Sequence, residues 1–254
     1  MFEEELKVAT AASIAAGDEV ARLRREGVRY GRKDGFELVS EADIRAAEML
    51  HAALTSAFPD AGWLSEEHTD TSERLKHERV WIVDPIDGTR EYLEGVPEYA
   101  ISVGLVVAGT PVLGVVYNPA AGELHAAVCV GMPERQPATV PRHIEALVGR
   151  GEHRYNELPP LPPGTRVSGV GSVAYRLALL AGGRGHAVLT GYGRAEWDVA
   201  AGDALCRAAG LRVTGVLGDE LRYNKPDPHI RGLLAAEPGV HEHLVRFFRP
   251  YARQ

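Results

Sequence analysis

The hydrophobic positions of the first sixty residues follow a helical period. From residue 6 to residue 23 they recur in steps of three and four, which predicts an amphipathic helix that ends at Gly27. These positions are Leu6, Ala9, Ser13, Ala16, Val20 and Leu23. A second helix is predicted from Ser40 up to Pro59, because Ser40 and Asp43 have the spacing of a capping box. Taken alone, Asp43 is explained as a stabilising carboxylate in a helical first turn.

Continuous apolar runs follow, and they are typical of buried strands. We predict four strands of an antiparallel or mixed sheet, at residues 80–84, 100–107, 112–117 and 123–129. Residues 100–119 are uncharged and long enough to raise the question of a membrane span. Glycine and proline interrupt this run, at Gly104, Gly109, Pro111 and Gly114. The run is therefore predicted to form two strands joined by a turn.

The second half alternates predicted strands and helices, a pattern that is typical of an α/β layer. The predicted strands lie at residues 146–148 and 186–190, and the predicted helices at residues 172–180 and 197–209. Prolines mark a boundary between the halves, at Pro133, Pro137 and Pro141. We expect an N-terminal α+β domain of residues 1–140 and a C-terminal α/β domain of residues 141–254.

Composition and charge narrow the function classes. With 254 residues, 45% hydrophobic, the chain is long enough to bury a sizeable core. A net charge of -7 argues against a nucleic-acid polymer as partner, because phosphate backbones attract clustered Lys and Arg. The acidic start at residues 1–5 does not resemble a signal peptide, so a cytoplasmic protein without membrane association is expected. Cys129 and Cys206 match no metal-ligand spacing and are predicted to be reduced packing residues.

Candidate chemistry is concentrated after the first predicted strand. Asp84 and Asp87 flank a turn, and residues 89–93 can begin a helix whose first N–H groups would face the same space. Carboxylates beside an anion-binding helix end indicate an intervening divalent metal, since like charges repel. Taken alone, the segment is more often a surface turn. Glu66-Glu67 and Asp198 are further acidic candidates, although Asp198 alone is explained as a helix cap.

Three acidic motifs, in this order, resemble those of the lithium-sensitive, magnesium-dependent phosphatases that include inositol monophosphatase, fructose bisphosphatase and 3′(2′),5′-bisphosphate nucleotidase. They are the Glu66-Glu67 pair, the Asp-Pro-Ile-Asp-Gly-Thr block of residues 84–89, and the Trp-Asp-Val-Ala-Ala-Gly block of residues 197–202. The resemblance covers nearly the whole chain. It implies the layered α-β-α-β-α sandwich of that family, which combines α+β and α/β features.

The resemblance also implies a ligand set for two or three Mg²⁺ ions. Glu66, Asp84 and the carbonyl of Ile86 would hold one ion, while Asp84, Asp87 and Asp198 would hold a second. Oxygen ligands of this kind suit Mg²⁺, and a pair of ions can clamp the attacking and leaving oxygens of a phosphoryl displacement. Mn²⁺ is expected to substitute, whereas Li⁺ and Ca²⁺ are expected to inhibit.

By the same resemblance, Thr89 and Asp43, with Glu66 close by, would orient the attacking water. A threonine hydroxyl that donates to Asp43 can accept a proton from that water, and so align it on phosphorus. The backbone N–H groups of Gly88 and Thr89 would hold phosphate oxygens.

Substrate preference depends on shorter matches. Residues 90–92 are Arg-Glu-Tyr, which resembles the Lys-Glu-Phe of the nucleotidase branch, often called CysQ, more than the Thr-Asn-Phe of inositol monophosphatases. Residues 221–225 also resemble the nucleotidase branch. Candidate substrate contacts are Gly171, Ser172, Glu196, Lys225 and Arg150. Each has a structural alternative, as a helix cap or a solvated charge. Residues 149–153 and Tyr175 depart from the pattern of the nucleotidase branch, because they lack hydroxyl groups and a cation that the branch has there. Arg150 and Arg176 could replace the missing cation.

The resulting expectation is a Mg²⁺-dependent phosphomonoesterase. Its preferred assignment is a 3′(2′),5′-bisphosphate nucleotidase that converts adenosine 3′,5′-bisphosphate to AMP and phosphate through attack of a metal-activated water. Inositol-1-monophosphatase or fructose-1,6-bisphosphatase activity is the alternative, and a non-catalytic metal- or phosphate-binding regulator on the same fold is an alternative of another class. The expected partner is a small phosphorylated substrate, and the resemblance implies a homodimer.

Overall fold

Two five-stranded sheets and the helices around them form the framework. The computed structural model describes residues 1–33, 37–131, 135–137, 139–155 and 158–253, so Pro133, one of the predicted boundary markers, lies outside it. The helices are α1 Glu3–Glu26, α2 Glu41–Ala57, α3 Thr89–Glu94, α4 Arg150–Arg154, α5 Val173–Ala181, α6 Glu196–Ala208 and α7 Pro238–Phe248. The strands are β1 Tyr30–Lys33, β2 Glu37–Ser40, β3 Gly62–Ser65, β4 Arg79–Asp87, β5 Ala100–Val107, β6 Thr110–Asn118, β7 Glu123–Val128, β8 Glu145–Gly149, β9 Arg166–Val170, β10 Ala187–Ala195, β11 Arg212–Thr214 and β12 His229–Ala236.

The first sheet has the order β3-β4-β5-β6-β7, and the second has the order β11-β12-β10-β8-β9. Both are mixed: β3 runs parallel to β4 while the rest of the first sheet is antiparallel, and β8 runs parallel to β9 and β10. Alternate residues of β4 enter different cores, with Trp81 and Val83 on one face and Val80 and Ile82 on the other. Because both faces are covered, the strand reads as an uninterrupted apolar run.

Three hydrophobic clusters hold together five layers of helices and sheets. The first joins α1 and α2 to one face of the first sheet. The second fills the space between the two sheets with α5 and α6, and the third packs α7 against the outer face of the second sheet. This order confirms the predicted α-β-α-β-α sandwich.

Helix α6 comes from the second half of the chain but packs against strands of the first sheet. Gly104 and Gly114 are paired across β5 and β6, and together they make a flat place on that sheet. A Cβ atom at Gly114 would lie 2.1 Å from the carbonyl oxygen of Ala201, and one at Gly104 would lie 3.0 Å from its nitrogen. The absence of side chains at these glycines therefore sets how closely α6 approaches the sheet.

Several elements differ from the sequence-based expectations. Strand β4 was expected to stop at residue 84, but it continues to Asp87, because a register shift between Asp84 and Asp87 places Pro85 where no ladder donor is needed. The hairpin of β1 and β2, strands β9, β11 and β12, and helix α7 were not predicted. The first helix is confirmed, and its buried residues include Ala9, Ser13, Ala16 and Val20.

Candidate metal centre

Three carboxylates from separate parts of the chain meet at the edge of the first sheet. Asp84 and Asp87 come from the irregular end of β4, and Asp198 comes from the first turn of α6. One oxygen of each lies within 4.8 Å of one oxygen of the others. The structure thus assembles three of the residues that the sequence motifs single out as metal ligands.

Burial makes this cluster unfavourable without a cation. Asp84 is 1% exposed, and burial together with the neighbouring charges of Glu66, Asp87 and Asp198 raises the pKa of Asp84 well above its ordinary value. Glu66 follows β3, which pairs with β4, and its side chain is hydrogen-bonded to Asp84. Glu66 lines the cavity described below, whereas Glu67 is not among its lining residues. Of the two adjacent glutamates, Glu66 is the one that contacts Asp84.

Asp87 is held in place by the start of α5. Its Oδ2 accepts hydrogen bonds from the Ser172 hydroxyl, at 2.7 Å, and from the Ala174 N–H, at 2.6 Å. Burial raises the pKa of Asp87, and these two bonds together with Arg176 and Arg194 partly oppose the increase. The other oxygen of Asp87 takes part in neither bond and is the one that can serve as a ligand. Ser172, expected to contact substrate, therefore caps α5 and orients Asp87.

Thr89 and Asp43 are in hydrogen-bond contact, as the motif suggested. The Thr89 hydroxyl lies 3.0 Å from Asp43 Oδ1 and 3.1 Å from the Ile86 carbonyl oxygen. It has one proton, and the charged acceptor is the stronger of the two. Asp43 is itself fixed, because its Oδ2 accepts from the N–H and the hydroxyl of Ser40 at 2.7 and 2.6 Å. Donation to Asp43 leaves the Ile86 carbonyl available to a cation.

The residues present fit a magnesium site. All the candidate ligand atoms are oxygens: four carboxylates and the Ile86 carbonyl. Mg²⁺ prefers oxygen donors and keeps several waters, so a few protein ligands suffice. A divalent cation would also remove the mutual repulsion that raises the pKa of Asp84.

The carboxylates open into a cavity of about 600 Å³, a size typical of small-molecule sites. Among the predicted site residues, its lining includes Glu66, Asp84, Ile86, Asp87, Gly88, Thr89, Asp198, Arg150, Gly171 and Ser172. Arg150 is held by an ion pair to Glu98, and the same Glu98 oxygen accepts from the Gly171 N–H at 2.7 Å. Glu98 thus connects two of the expected substrate contacts.

Glu196 and Lys225 are not among the lining residues of this cavity, and their contact with substrate stays a prediction. Glu196 is fully buried, and its carboxylate accepts from the N–H groups of Asn224, at 2.6 Å, and Lys225, at 3.2 Å. Arg74 binds the same turn, through the Asn224 side chain at 2.7 Å and the Lys225 carbonyl at 2.8 Å. These contacts fix the turn against the start of α6, two residues before Asp198.

The sequence motifs missed a basic and aromatic part of the cavity. Glu152, Arg194, Tyr155 and Tyr192 all line it, beside Arg176, which the sequence had already suggested as a replacement cation. No local pattern marks these residues, since they come from α4, α5, β10 and the residue after α4.

Comparison with known proteins places the chain in a family. The sequence model described as "Inositol monophosphatase family" matches residues 1–251. The chain belongs to the inositol monophosphatase family. Members of this family are phosphatases, and the family is metal-dependent.

Relatives within the inositol monophosphatase family carry different names. An inositol-1-monophosphatase of Mesorhizobium japonicum is 34% identical over 235 residues, which cover 85% of this chain and 86% of the relative. A 3′(2′),5′-bisphosphate nucleotidase CysQ of Salmonella typhimurium is 30% identical over 221 residues, which cover 82% of this chain and 89% of the relative. The solved structure of the Thermotoga maritima IMPase superposes with a TM-score of 0.79 at 25% identity, covering 98% of both chains.

No helix among the described residues is long and apolar enough to cross a membrane.

Proposed function

We propose that the protein is a Mg²⁺-dependent phosphomonoesterase that acts on adenosine 3′,5′-bisphosphate. The observation that carries the hydrolase activity is the contact of Thr89 with Asp43 beside the buried carboxylates. A binding module would need the carboxylates but has no use for an oriented hydroxyl at that position. The combination supports an enzyme over the alternative of a non-catalytic regulator.

The carboxylates and the Ile86 carbonyl would hold the cations. When bound, divalent cations supply positive charge to the phosphate and lower the pKa of bound water. Asp84 interacts with Glu66, Asp87 and Asp198, so it would be suited to serve both cations, whereas Asp198 and Asp87 would each serve one. The bonds from Ser172 and Ala174 keep Asp87 from turning away from the cavity.

Thr89 would direct the attacking water. Its hydroxyl proton is engaged by Asp43, so its oxygen presents lone pairs to the cavity and can accept a hydrogen bond from that water. Asp43 cannot rotate freely because Ser40 holds its second oxygen. Gly88 and Thr89 lie on the same wall, and their N–H groups are proposed to bind phosphate oxygens.

The choice of substrate has two kinds of support. Relatives named inositol-1-monophosphatase and bisphosphate nucleotidase match to similar extents, so kinship alone does not distinguish them. Residues 90–92 resemble the nucleotidase pattern, and arginines line the cavity at Arg150, Arg176 and Arg194. A substrate with a second anionic group could bind these arginines, whereas a monophosphate has no second anionic group to bind them. Inositol 1-phosphate is the second candidate.

One comparison tests this proposal. We expect kcat/KM for adenosine 3′,5′-bisphosphate to exceed kcat/KM for inositol 1-phosphate and fructose 1,6-bisphosphate by tenfold or more in Mg²⁺, with no turnover in EDTA. Asp87→Asn should abolish turnover while circular dichroism shows an intact fold. A preference for inositol 1-phosphate would overturn the nucleotidase assignment. Tight binding without turnover of any of these esters would overturn the enzyme assignment.

A further inference from the structure

Two of the candidate carboxylate ligands lie on segments that come from opposite halves of the chain. Glu66 directly follows β3, and Asp198 lies in the first turn of α6. Asp84 and Asp87 share the end of one strand, so their spacing depends on neighbouring residues. The spacing between Glu66 and Asp198 depends instead on how the segment that follows Glu66 is held against α6. Contacts outside the cavity hold it there.

Arg74 anchors the segment that follows Glu66. It lies in a short 3₁₀ helix, and its side chain is 2% exposed. Its Nε and Nη2 donate to the two oxygens of Asp70, at 2.6 and 2.8 Å. Its Nη1 donates to the Asn224 side-chain oxygen at 2.7 Å, and its Nη2 also donates to the Lys225 carbonyl at 2.8 Å. The Asn224 amide in turn donates to the Arg74 carbonyl at 3.3 Å, so the two residues are joined at both ends.

Glu196 holds the same turn from the side of α6. Its carboxylate is fully buried and accepts from the successive N–H groups of Asn224 and Lys225, at 2.6 and 3.2 Å. Asn224 has a left-handed backbone conformation, with φ 56°, and successive N–H groups at such a residue can bind one anion. The Lys225 ammonium group lies 3.9 Å from Glu196, and the Glu196 N–H donates to the Pro228 carbonyl at 2.8 Å. These contacts fix the helix start that carries Asp198.

Asp198 follows the position of this helix start. Its Oδ2 accepts from the Ala195 N–H at 3.0 Å, and the Trp197 carbonyl accepts from the Ser102 hydroxyl at 3.2 Å. The backbone of the first turn therefore directs the carboxylate. Mg²⁺ demands near-octahedral geometry, so a small displacement of a ligand weakens its binding. Groups that orient metal ligands typically cost about 10–100-fold in metal affinity when they are mutated.

We infer that Arg74, Asn224 and Glu196 form a clasp that ties the segment after Glu66 to the helix carrying Asp198 and so sets the Mg²⁺ affinity of the metal centre. The three are positioning residues, and none of them is among the lining residues of the cavity. A merely structural role would lower the stability of the fold and leave Mg²⁺ affinity unchanged. The inference rests on the proposed function for the identity of the cation and the reaction, but Mg²⁺ binding can be measured without substrate.

Asn224→Gly opens the clasp with little other change. Glycine accepts the left-handed conformation, and its N–H can still donate to Glu196, so the side-chain bonds with Arg74 are the ones lost. Calorimetric titration without substrate should show a Kd for Mg²⁺ at least about fivefold above that of the wild type. Arg74→Met should have at least the same effect. The double variant should bind Mg²⁺ no more weakly than Arg74→Met, because both changes break one contact.

Tyr223→Phe is the matched control. The Tyr223 hydroxyl donates to the buried Asp203 of α6 at 2.8 Å, so this variant also removes a buried hydrogen bond between the same segment and the same helix. Its urea midpoint in EDTA should fall at least as much as that of Asn224→Gly, while its Kd for Mg²⁺ should stay within about twofold of the wild type. An unchanged Kd for Mg²⁺ in both Asn224→Gly and Arg74→Met would overturn the clasp. An equal increase in the control would also overturn it.

Kinetics distinguishes the clasp from a contact with substrate. At saturating Mg²⁺, kcat and the KM for adenosine 3′,5′-bisphosphate of Asn224→Gly should lie within about threefold of the wild type, because the cations are then bound. Glu196→Gln exchanges one of two acceptors for a donor and should also raise the Kd for Mg²⁺. A higher KM for the ester in Glu196→Gln, at unchanged Mg²⁺ affinity, would place Glu196 against the substrate and overturn the clasp. Weaker Mg²⁺ binding by the variants of a protein that hydrolyses no ester would support the clasp and overturn the proposed reaction.

Discussion

The contact of α6 with the first sheet predicts that a single methyl group will disturb the metal centre. Gly114→Ala places a Cβ 2.1 Å from the Ala201 carbonyl oxygen and 3.0 Å from the Ala204 Cβ. An ordinary contact needs at least 3.4 Å, so the helix backbone would have to move by about 1.3 Å. Ala201 lies one helical turn after Asp198, so the same movement displaces a proposed metal ligand.

The expected cost has two parts. Overpacking a buried contact destabilises a protein by about 1–3 kcal/mol. Displacing a ligand or reacting group by roughly 1 Å lowers the rate by about a hundredfold. Gly114→Ala should therefore lower kcat and Mg²⁺ affinity, and both decreases should be much larger than its loss of stability would explain. Phosphate release, calorimetric titration with Mg²⁺ and urea denaturation measure the three quantities.

Gly31→Ala is the matched control. A Cβ at Gly31 meets nothing within 4 Å, so activity, metal affinity and stability should remain close to those of the wild type. Wild-type metal affinity and turnover in Gly114→Ala, at an unchanged free energy of unfolding, would refute the view that the paired glycines set the position of Asp198.

Other residues give further expectations. Thr89→Val should lower kcat by about 10²–10⁴ without changing the Mg²⁺ affinity measured by calorimetry, and Thr89→Ser should keep most of the wild-type kcat. A kcat close to the wild-type value in Thr89→Val would exclude the hydroxyl from catalysis. Arg74→Met should cost about 2–3 kcal/mol in urea denaturation, because the Asn224 side chain and the Lys225 carbonyl lose a buried charged donor; a loss below 0.5 kcal/mol would contradict this. Asp84→Asn should raise the melting temperature in EDTA, since burial and neighbouring acids raise the pKa of Asp84. The same variant should abolish the increase in melting temperature that Mg²⁺ gives the wild type, and an unchanged response to Mg²⁺ would contradict Asp84 as a ligand. Burial opposes the ionisation of Glu152, but the Thr190 hydrogen bond and the two arginines outweigh burial and lower the pKa of Glu152. The stabilisation that ionised Glu152 gives is therefore complete above the unfolded pKa of about 4.5 and is lost as pH falls. The melting temperature of Glu152→Gln should vary less between pH 5 and pH 3 than that of the wild type, and an identical pH profile would contradict this.

Much of the acidic site could be predicted from the sequence, because it is written in short motifs. The block of residues 84–89 contains two of the clustered carboxylates, the Ile86 carbonyl and the Thr89 hydroxyl. Their relative positions depend on the irregular end of β4, which involves only neighbouring residues. The contact between Thr89 and Asp43 was also predicted, but only through resemblance to a family, since 46 residues separate them.

The candidate substrate contacts depend more on the fold. Ser172, named from its place before a helix, lines the cavity and binds Asp87, and Glu196 binds the backbone of a turn. Each side chain had a polar partner that only the fold could identify. The same is true of Glu152, whose arginine partners follow it by 24 and 42 residues.

The sequence by itself determined the helices with clear periodicity, the buried strands of the first sheet and the identity of the candidate acidic ligands. These depend on neighbouring residues and on burial pattern, which are properties of short segments. Only the tertiary structure decided that α6 packs on Gly104 and Gly114 and so brings Asp198 to Asp84, and that Arg176 and Arg194 share Glu152. These arrangements depend on contacts between segments distant in the chain, and the shape and charge of the partner surfaces select them.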